Sequence, residues 1–389
     1  NCQYNSGYEN THFFGTVVYD GIAYDHIEFE IRGEFSTYVS GKNKWRLHFN
    51  RGHEFQARDD FGRPYRASWR TMNLIPASTP WVPTNRGMAA LDEAIAFKLY
   101  ALAGVPSSHT NFFQWRVIDE AVEADAASQY RGDLWGLYAT LEHTDGRFLE
   151  ERDLPDGNTY KIEGGAGDKR NQGPTQTTSS ADYDALRNGY NVSQPIAWWR
   201  ANVDLDGYYG FRTVDRAINN MDLREGWNIC QYHDPDTNRW SAIPWDLDML
   251  YMPVTHWSGV MNFQNAILQH AELMTEYRNR SRELGDLLFV PGNFAEIIDE
   301  LAAVENPPGW ALTMVDVDES MWNYHPRTTS AHLGMFYRNP STHTAIGGTI
   351  VRTLVSADHE GMVRWIKDFC LTGYGAVQRA AEAADAAIP

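Results

Sequence analysis

The stretch INNMDLREGWNICQYHDPDTNRWSAIPWDLDMLY (residues 218–251) carries two acids, Asp246 and Asp248, between a Pro-Trp pair and an apolar run. Burying an ionised carboxylate is costly unless a metal, an arginine or backbone N–H groups compensate its charge. Within the stretch, ICQYH and RWSAI flank the turn sequence DPDTN, which predicts a β-hairpin. A hairpin folds back on itself, so we expect its two ends to bring Asp222, Asn228 and Asp246 together.

This set of side chains suits phosphoryl transfer. In kinase-like sites one carboxylate orients the attacking hydroxyl, while an asparagine and a second carboxylate hold Mg²⁺ on the phosphates. A divalent ion would also explain how Asp246 tolerates its apolar flanks. For Asp248 two interpretations stay open, because it either binds a second ion or caps the following turn.

Composition limits the classes of protein. The chain has 389 residues, of which 43% are hydrophobic and 13% aromatic, enough for a large core in two lobes or domains. Its net charge of −18 disfavours nucleic acid and anionic membranes as partners, so a phosphate-bearing ligand needs a local positive pocket. No apolar run is long enough to predict a membrane span. Because the sequence starts at Asn1 rather than Met, we expect a processed or excised chain.

Three cysteines, Cys2, Cys230 and Cys370, match no zinc motif and allow at most one disulfide.

The N-terminal part reads as a small sheet domain over residues 15–143. Alternating or apolar runs predict strands, and a periodic apolar stripe predicts one helix; the strands are 23–33, 44–50, 109–119 and 133–143, and the helix is 86–104. In the second strand Trp45, Leu47 and Phe49 share one face, which leaves Lys44 and Arg46 on the other face with His48.

The C-terminal part, residues 144–389, is predicted to be mostly helical after an insertion. Residues 156–195 are rich in Gly, Thr and Ser, which favours a mobile loop there. The next segment carries an apolar stripe from Tyr208 to Ile218, with Asp204 or Asp206 as a candidate cap. Further helical patterns cover about 262–290, about 293–304 and about 357 to the end.

The motifs resemble those of the spore-coat protein H (CotH) kinase family. The matching pieces fall in the family's order over residues 25–320, and the most specific is N-x-D…N…D-P-x-T-x-x-W…I-P-W-D-x-D; the others are KWRLHF, LAGVP, LWGLYATLEHTDGRFLEE, TYKIEGG and YRNRSREL. The resemblance implies an α+β, two-lobed atypical kinase-like fold, with a small β-rich N-terminal lobe and a larger, mostly helical C-terminal lobe. It also implies ATP and Mg²⁺ or Mn²⁺ as cofactors, phosphorylation of protein Ser or Thr, and an exported, extracellular or cell-surface location.

By the same resemblance, Asp222 is the catalytic-loop acid, Asn228 the accessory metal ligand and Asp246 the principal metal ligand. Asp248 is carried as a further candidate ligand for the metal.

Nucleotide binding requires cations against this acidic background. Arg32, Lys42 and Arg46 are the candidates for the phosphates, because they flank or lie on the first strands. Lys161 matches the family's Tyr-Lys pair and is a candidate for reaching the cleft. Glu93 lies where a kinase carries its ion-pair glutamate, but its place opposite the apolar stripe favours a solvated position.

The segment LEHTDG (141–146) falls where kinases place the hinge between lobes, so backbone near Glu142 and His143 is expected to meet adenine. Two rival functions remain open: transfer of AMP by the same fold, and a non-catalytic scaffold or surface-binding module. The partner is expected to be a protein, and an acidic enzyme suits a basic acceptor electrostatically. The sequence predicts no oligomeric state.

Overall fold

The computed structural model describes residues 12–33, 37, 41–78, 88–119, 130, 132–253, 257, 259, 261–326, 336, 341–344, 350–353 and 356–383. Both sheets and helices are present, so the α+β prediction is confirmed. The strands are β1 (His12–Tyr19), β2 (Ile22–Arg32), β3 (Lys44–His48), β4 (Thr71–Pro76), β5 (Thr110–Arg116), β6 (Leu134–Glu142), β7 (Asn158–Glu163), β8 (Ala166–Asn171), β9 (Ile229–His233), β10 (Trp240–Pro244), β11 (Ser341–Thr344) and β12 (Ile350–Thr353).

Most of the helices come after the strands of the first sheet in the sequence. They are α1 (Leu91–Leu102), α2 (Gly146–Glu151), α3 (Ala181–Gly189), α4 (Ile196–Asn202), α5 (Leu205–Ile218), α6 (Asn262–Leu268), α7 (Ala271–Leu288), α8 (Pro291–Glu305), α9 (Met314–Trp322), α10 (His359–Leu371) and α11 (Tyr374–Ala383). None of the described helices is long and apolar enough to cross a membrane.

The N-terminal sheet contains six antiparallel strands in the order β1-β2-β3-β4-β6-β5. The predicted strands correspond to β2, β3, β5 and β6, and the predicted helix corresponds to α1. Strands β1 and β4 were not predicted. As expected from the alternation, Leu47 and Phe49 join a buried aromatic cluster on one side of the sheet, and Trp45 packs against that cluster. The opposite face of β3 is therefore available for polar side chains.

A second antiparallel sheet, in the order β10-β9-β7-β8, contains the predicted hairpin. The DPDTN turn between β9 and β10 is held by the Asp234 carboxylate, which accepts the N–H of Asp236 at 2.8 Å and the hydroxyl of Thr237 at 2.9 Å. The register pairs Ile229 with Pro244 at the other end of the hairpin. The residues that precede β9 and follow β10 are thus neighbours, as predicted.

The predicted mobile loop at 156–195 is wrong, because that stretch contains β7, β8 and α3. Gly164 and Gly165 form the two-residue turn of the β7–β8 hairpin, with φ of 62° and 75°. Paired positive φ values are those of a type I′ turn, which glycine adopts without steric cost. A glycine-rich composition therefore marked a tight hairpin rather than a mobile segment.

Helix α5 confirms the predicted stripe and cap. The Asp204 carboxylate accepts the N–H of Gly207, so Asp204 and not Asp206 is the cap. The predicted helix at 262–290 is instead two helices, α6 and α7, with a break at Gln269 and His270. The indole N–H of Trp199 lies 3.2 Å from His270 Nε2 and anchors this break.

The C-terminal helical pattern likewise divides into α10 and α11 at Thr372 and Gly373. Cys230 and Cys370 are buried free thiols, and Cys2 lies outside the described residues.

Candidate active site

The two ends of the β9–β10 hairpin bring Asp222, Asn228 and Asp246 together. The Asn228 side-chain amide donates to the carboxylate of Asp222 at 2.8 Å and to its carbonyl at 3.0 Å. Asn228 and Asp246 both have φ of 58°. Asn and Asp enter this left-handed region more readily than other side chains, which fits these residue types to the ends of the hairpin.

Strand β3 contributes a cation to this group. Lys44 Nζ lies 2.8 Å from Asp248 Oδ2. Burial disfavours the charged ammonium, yet the carboxylates of Asp248, Asp246 and Glu93 outweigh it and raise the pKa of Lys44. Lys44 is therefore held as a cation among three acids.

The solvated position predicted for Glu93 is wrong. Its residue is only 7% exposed, and burial raises the pKa of its carboxyl well above the ordinary value, although Lys44 opposes that shift. The reason is that α1 is buried without interruption from Leu91 to Phe97, so the helix has no solvent face there. Periodicity alone identified one apolar stripe and could not show that the opposite face is also covered.

Two further cations lie over the Trp245 indole. The Arg32 guanidinium carbon is 5.5 Å from the ring centroid, and Lys161 Nζ is 5.8 Å from it. Lys161 also pairs with Glu163 at 2.6 Å. Burial and the charge of Asp248 raise the pKa of Asp246, while Lys44, Lys161 and Arg32 act in the opposite direction.

Asp222 has the pKa of a group that can exchange protons near neutrality. Burial is the main cause, followed by the charges of Asp248 and Asp246, and together they raise its pKa to about 7. The hydrogen bond from Asn228 and the charge of Arg224 oppose this shift. A carboxylate with such a pKa is suited to accept a proton during a reaction at neutral pH.

The polar face of β3 leads from these acids to a cleft. Arg46 lies between Lys44 and His48 on that face and pairs with Glu30 at 2.9 Å. The cleft has a volume of about 830 Å³, and its lining includes His48, Thr71, His143, Asp145 and Arg170. His143 lies 6.1 Å from Trp245, ring centroid to ring centroid, so the cleft adjoins the group of acids. Its volume is typical of small-molecule sites.

Two residues that were predicted to contact the nucleotide bond to other residues of the protein instead. The residue Lys42 is 0% exposed, and its ammonium donates to Asp318 Oδ1 at 2.5 Å and to the Leu137 carbonyl at 2.6 Å. It does not join the group around Asp246, which corrects its prediction as a phosphate contact. The Glu142 carboxylate is likewise held by Arg152 at 2.7 and 3.1 Å. The Glu142 N–H donates to the His109 carbonyl at 3.0 Å, whereas His143 lines the cleft.

Sequence reasoning placed Lys44 on the polar face of β3 but did not select it as a site residue. The signal was available, because Lys44 shares that face with Arg46. Arg170 of β8 was missed because its segment was interpreted as a mobile loop. Arg224 was missed because it carries no motif of its own within the matched stretch.

The oxygen atoms at this position fit a hard divalent ion. Within the described part of the chain, no three His, Cys, Asp or Glu side chains form a group that could hold a metal. The Asp246 carboxylate, only partly exposed, receives no hydrogen bond or ion pair from the described residues. Mg²⁺ is commonly bound by one or two carboxylates together with substrate phosphates, so Asp246 and Asn228 suffice as a protein contribution.

The family model described as CotH kinase protein matches residues 29–370, which include Asp222, Asn228 and Asp246. None of the curated proteins compared with the chain matches it.

Proposed function

The chain belongs to the CotH kinase family, and from that membership we propose that it transfers the terminal phosphoryl group of ATP to a Ser or Thr hydroxyl of a protein. The family implies kinase-like phosphoryl transfer, and the observation that supports the proposal here is the Asn228–Asp222 hydrogen bond beside Asp246. We further propose a two-lobed kinase-like arrangement, in which the sheet of residues 12–142 forms the smaller lobe.

In this proposal Asn228 and Asp246 hold Mg²⁺ or Mn²⁺, with Asp248 as a further candidate ligand. The ion, when bound, supplies positive charge to the phosphates of ATP. Lys44, Arg32 and Lys161 supply positive charge beside Asp246. Arg46 on β3 and His143, which follows β6, extend the site toward the cleft, where the nucleoside would lie.

Asp222 aligns the acceptor and takes its proton. The acceptor oxygen forms a bond to the terminal phosphorus as the bond from that phosphorus to the bridging oxygen breaks, and the hydroxyl proton passes to Asp222. Its pKa of about 7 allows Asp222 to accept that proton at neutral pH. Asn228 orients the Asp222 carboxylate through the 2.8 Å hydrogen bond. Most of the rate acceleration would come from positioning and electrostatics.

A thermal-shift titration of the full chain with ATP, with and without Mg²⁺ or Mn²⁺, tests the proposal. A ligand that binds only the folded state raises the free energy of unfolding by about 2.7 kcal/mol at about 100 times its Kd. We expect a metal-dependent shift that Asp246→Asn loses and that Asp206→Asn, an exposed control on α5, retains. An unchanged shift in Asp246→Asn contradicts the assignment of the metal site.

Mass spectrometry of the modified protein then distinguishes the rival transfer. Addition of a phosphoryl group supports the proposal, whereas addition of AMP replaces it. No nucleotide binding with any metal would support a non-catalytic scaffold.

A further inference from the structure

The residues between Asp222 and Asn228 form a tight turn. The Trp227 N–H donates to the Arg224 carbonyl at 3.1 Å, and Gly226 has φ of 73°. A Cβ at Gly226 would lie 2.9 Å from the Cα of Gly165, so the turn needs glycine both for its φ and for this close approach. The turn places the Arg224 guanidinium carbon 4.8 Å from the ring centroid of Trp227.

A second indole contacts the same guanidinium. The ring centroid of Trp257 lies 3.7 Å from the Arg224 guanidinium carbon and 5.6 Å from the ring centroid of Trp227. The Trp257 backbone N–H donates to the Met221 carbonyl at 2.9 Å, which ties this residue to the loop that carries Asp222. Cation–π contacts with two rings hold the planar side chain in one orientation. The cation is therefore ordered before any ligand arrives.

The Arg224 guanidinium donates no hydrogen bond to any described residue and forms no ion pair with one. The adjacent acid, Glu225, is engaged elsewhere, because its two oxygens accept the Tyr190 hydroxyl at 2.5 Å and the Phe263 N–H at 2.9 Å. Two other partly buried arginines of this acidic chain are paired, Arg152 with Glu142 and Arg212 with Glu382. Arg224 is thus a half-buried, oriented cation that acts on the Asp222 carboxylate through its charge but has no hydrogen-bonded or ion-paired anion among the described residues.

We propose that Arg224, held by Trp227 and Trp257, is an anion-binding subsite beside Asp222, an inference that rests on the proposed function. A guanidinium fork suits the two oxygens of a carboxylate or phosphoryl group. Such an anion has two sources: an acidic or phosphorylated side chain next to the acceptor hydroxyl, or the terminal phosphoryl group of ATP. The acceptor is the expected source, because Arg224 lies two residues from Asp222 and its charge acts on that carboxylate, whereas the main charges acting on Asp246 come from other residues. The acceptor segment would then be acidic locally, in contrast to the basic acceptor expected from net charge.

The test compares the wild-type chain with Arg224→Gln, which removes the charge, and Arg224→Lys, which keeps it. Arg239→Gln, in the exposed turn between β9 and β10, is the matched control. Each protein phosphorylates a peptide library with a central Ser or Thr and flanking Asp, Glu, Lys or Gln. The affinity for ATP with Mg²⁺ is measured separately by calorimetry.

We expect wild-type products to be enriched in Asp or Glu beside the acceptor. Arg224→Gln should lose this preference, with kcat/KM for acid-flanked peptides falling about tenfold or more, as for a lost charge-assisted contact. Arg224→Lys should retain part of it, and ATP affinity should stay unchanged. A uniform loss over all peptides together with about tenfold weaker ATP binding would assign the anion to ATP. If Arg224→Gln shows neither of these changes relative to Arg239→Gln, the subsite is overturned.

If the wild-type chain neither binds ATP nor modifies any peptide, the proposed function fails. The subsite is then tested by a thermal-shift titration with pyrophosphate alone. A thermal shift with pyrophosphate that Arg224→Gln abolishes supports the subsite in that case. No wild-type shift, or the same shift in both proteins, overturns it.

Discussion

Lys44 Nζ and Asp248 Oδ2 lie 2.8 Å apart and join strand β3 of the N-terminal sheet to the segment that follows the β9–β10 hairpin. Because Asp246 and Glu93 also act on this ammonium, Lys44 compensates several carboxylates at once. The site is thus a balance of buried charges, and removing the cation should have consequences for both stability and ligand binding.

Lys44→Met should make the stability of the protein fall steeply with pH. Without the ammonium, the pKa values of Glu93 and Asp246, already raised by burial, should rise further. A raised folded-state pKa of an acid contributes stability at low pH that is lost as pH increases. We therefore expect a larger loss of Tm relative to wild type at pH 8 than at pH 5, measured by thermal unfolding.

Arg239→Met, in the exposed turn between β9 and β10, is the control and should follow the wild-type pH curve. Equal Tm losses for Lys44→Met at both pH values would show that Lys44 does not compensate these acids.

The buried pair Lys42–Asp318 should act as a structural unit and not as a phosphate contact. Removing one partner of a buried ion pair costs about 3–5 kcal/mol, because the other charge is left uncompensated. Lys42→Met and Asp318→Asn should each lower the free energy of unfolding in urea, and the double variant should lose clearly less than the sum of the two. Additive losses would argue against coupling of the two charges.

The same double variant tests the role of Lys42 in binding. Its folded form should bind ATP with Mg²⁺ as the wild type does, whereas loss of a phosphate contact would weaken binding about tenfold or more.

Gly136 lies directly against the same ion pair. It has φ of 89°, and a Cβ there would lie 2.2 Å from Asp318 Oδ1. Gly136→Ala should therefore destabilise the protein through backbone strain and through displacement of Asp318. Gly62→Ala is the matched control, because Gly62 has φ of 77° but nothing within 4 Å of the added Cβ. Chemical denaturation should show the larger loss for Gly136→Ala, and equal losses would reduce the effect to backbone strain alone.

Much of the site was predictable because its chemistry is local. The turn residues of DPDTN and the strand patterns around them predicted the hairpin, and a hairpin necessarily places Asn228 and Asp246 near each other. The burial of Glu93 was not predictable, since it depends on segments that cover α1 from the side opposite its stripe. The pairing of Lys42 was hidden for a similar reason, because Asp318 lies 276 residues away in the sequence.

Asp215, which lies on α5 away from the candidate active site, should make the protein less stable as the pH rises. Burial is the main cause that raises its pKa to about 7, with Arg216 and Arg212 in opposition, and its Oδ1 atom receives no hydrogen bond from the described residues. The folded-state pKa exceeds that of the unfolded chain, so the protonated carboxyl contributes stability that is complete below about pH 4 and is lost as pH rises through about 7. Asp215→Asn should remove this dependence, so that its stability relative to wild type increases between pH 4 and pH 8 in urea titrations. Asp206→Asn on the same helix is exposed and should leave the wild-type profile unchanged, while parallel profiles for Asp215→Asn and wild type would show that Asp215 keeps its charge when folded.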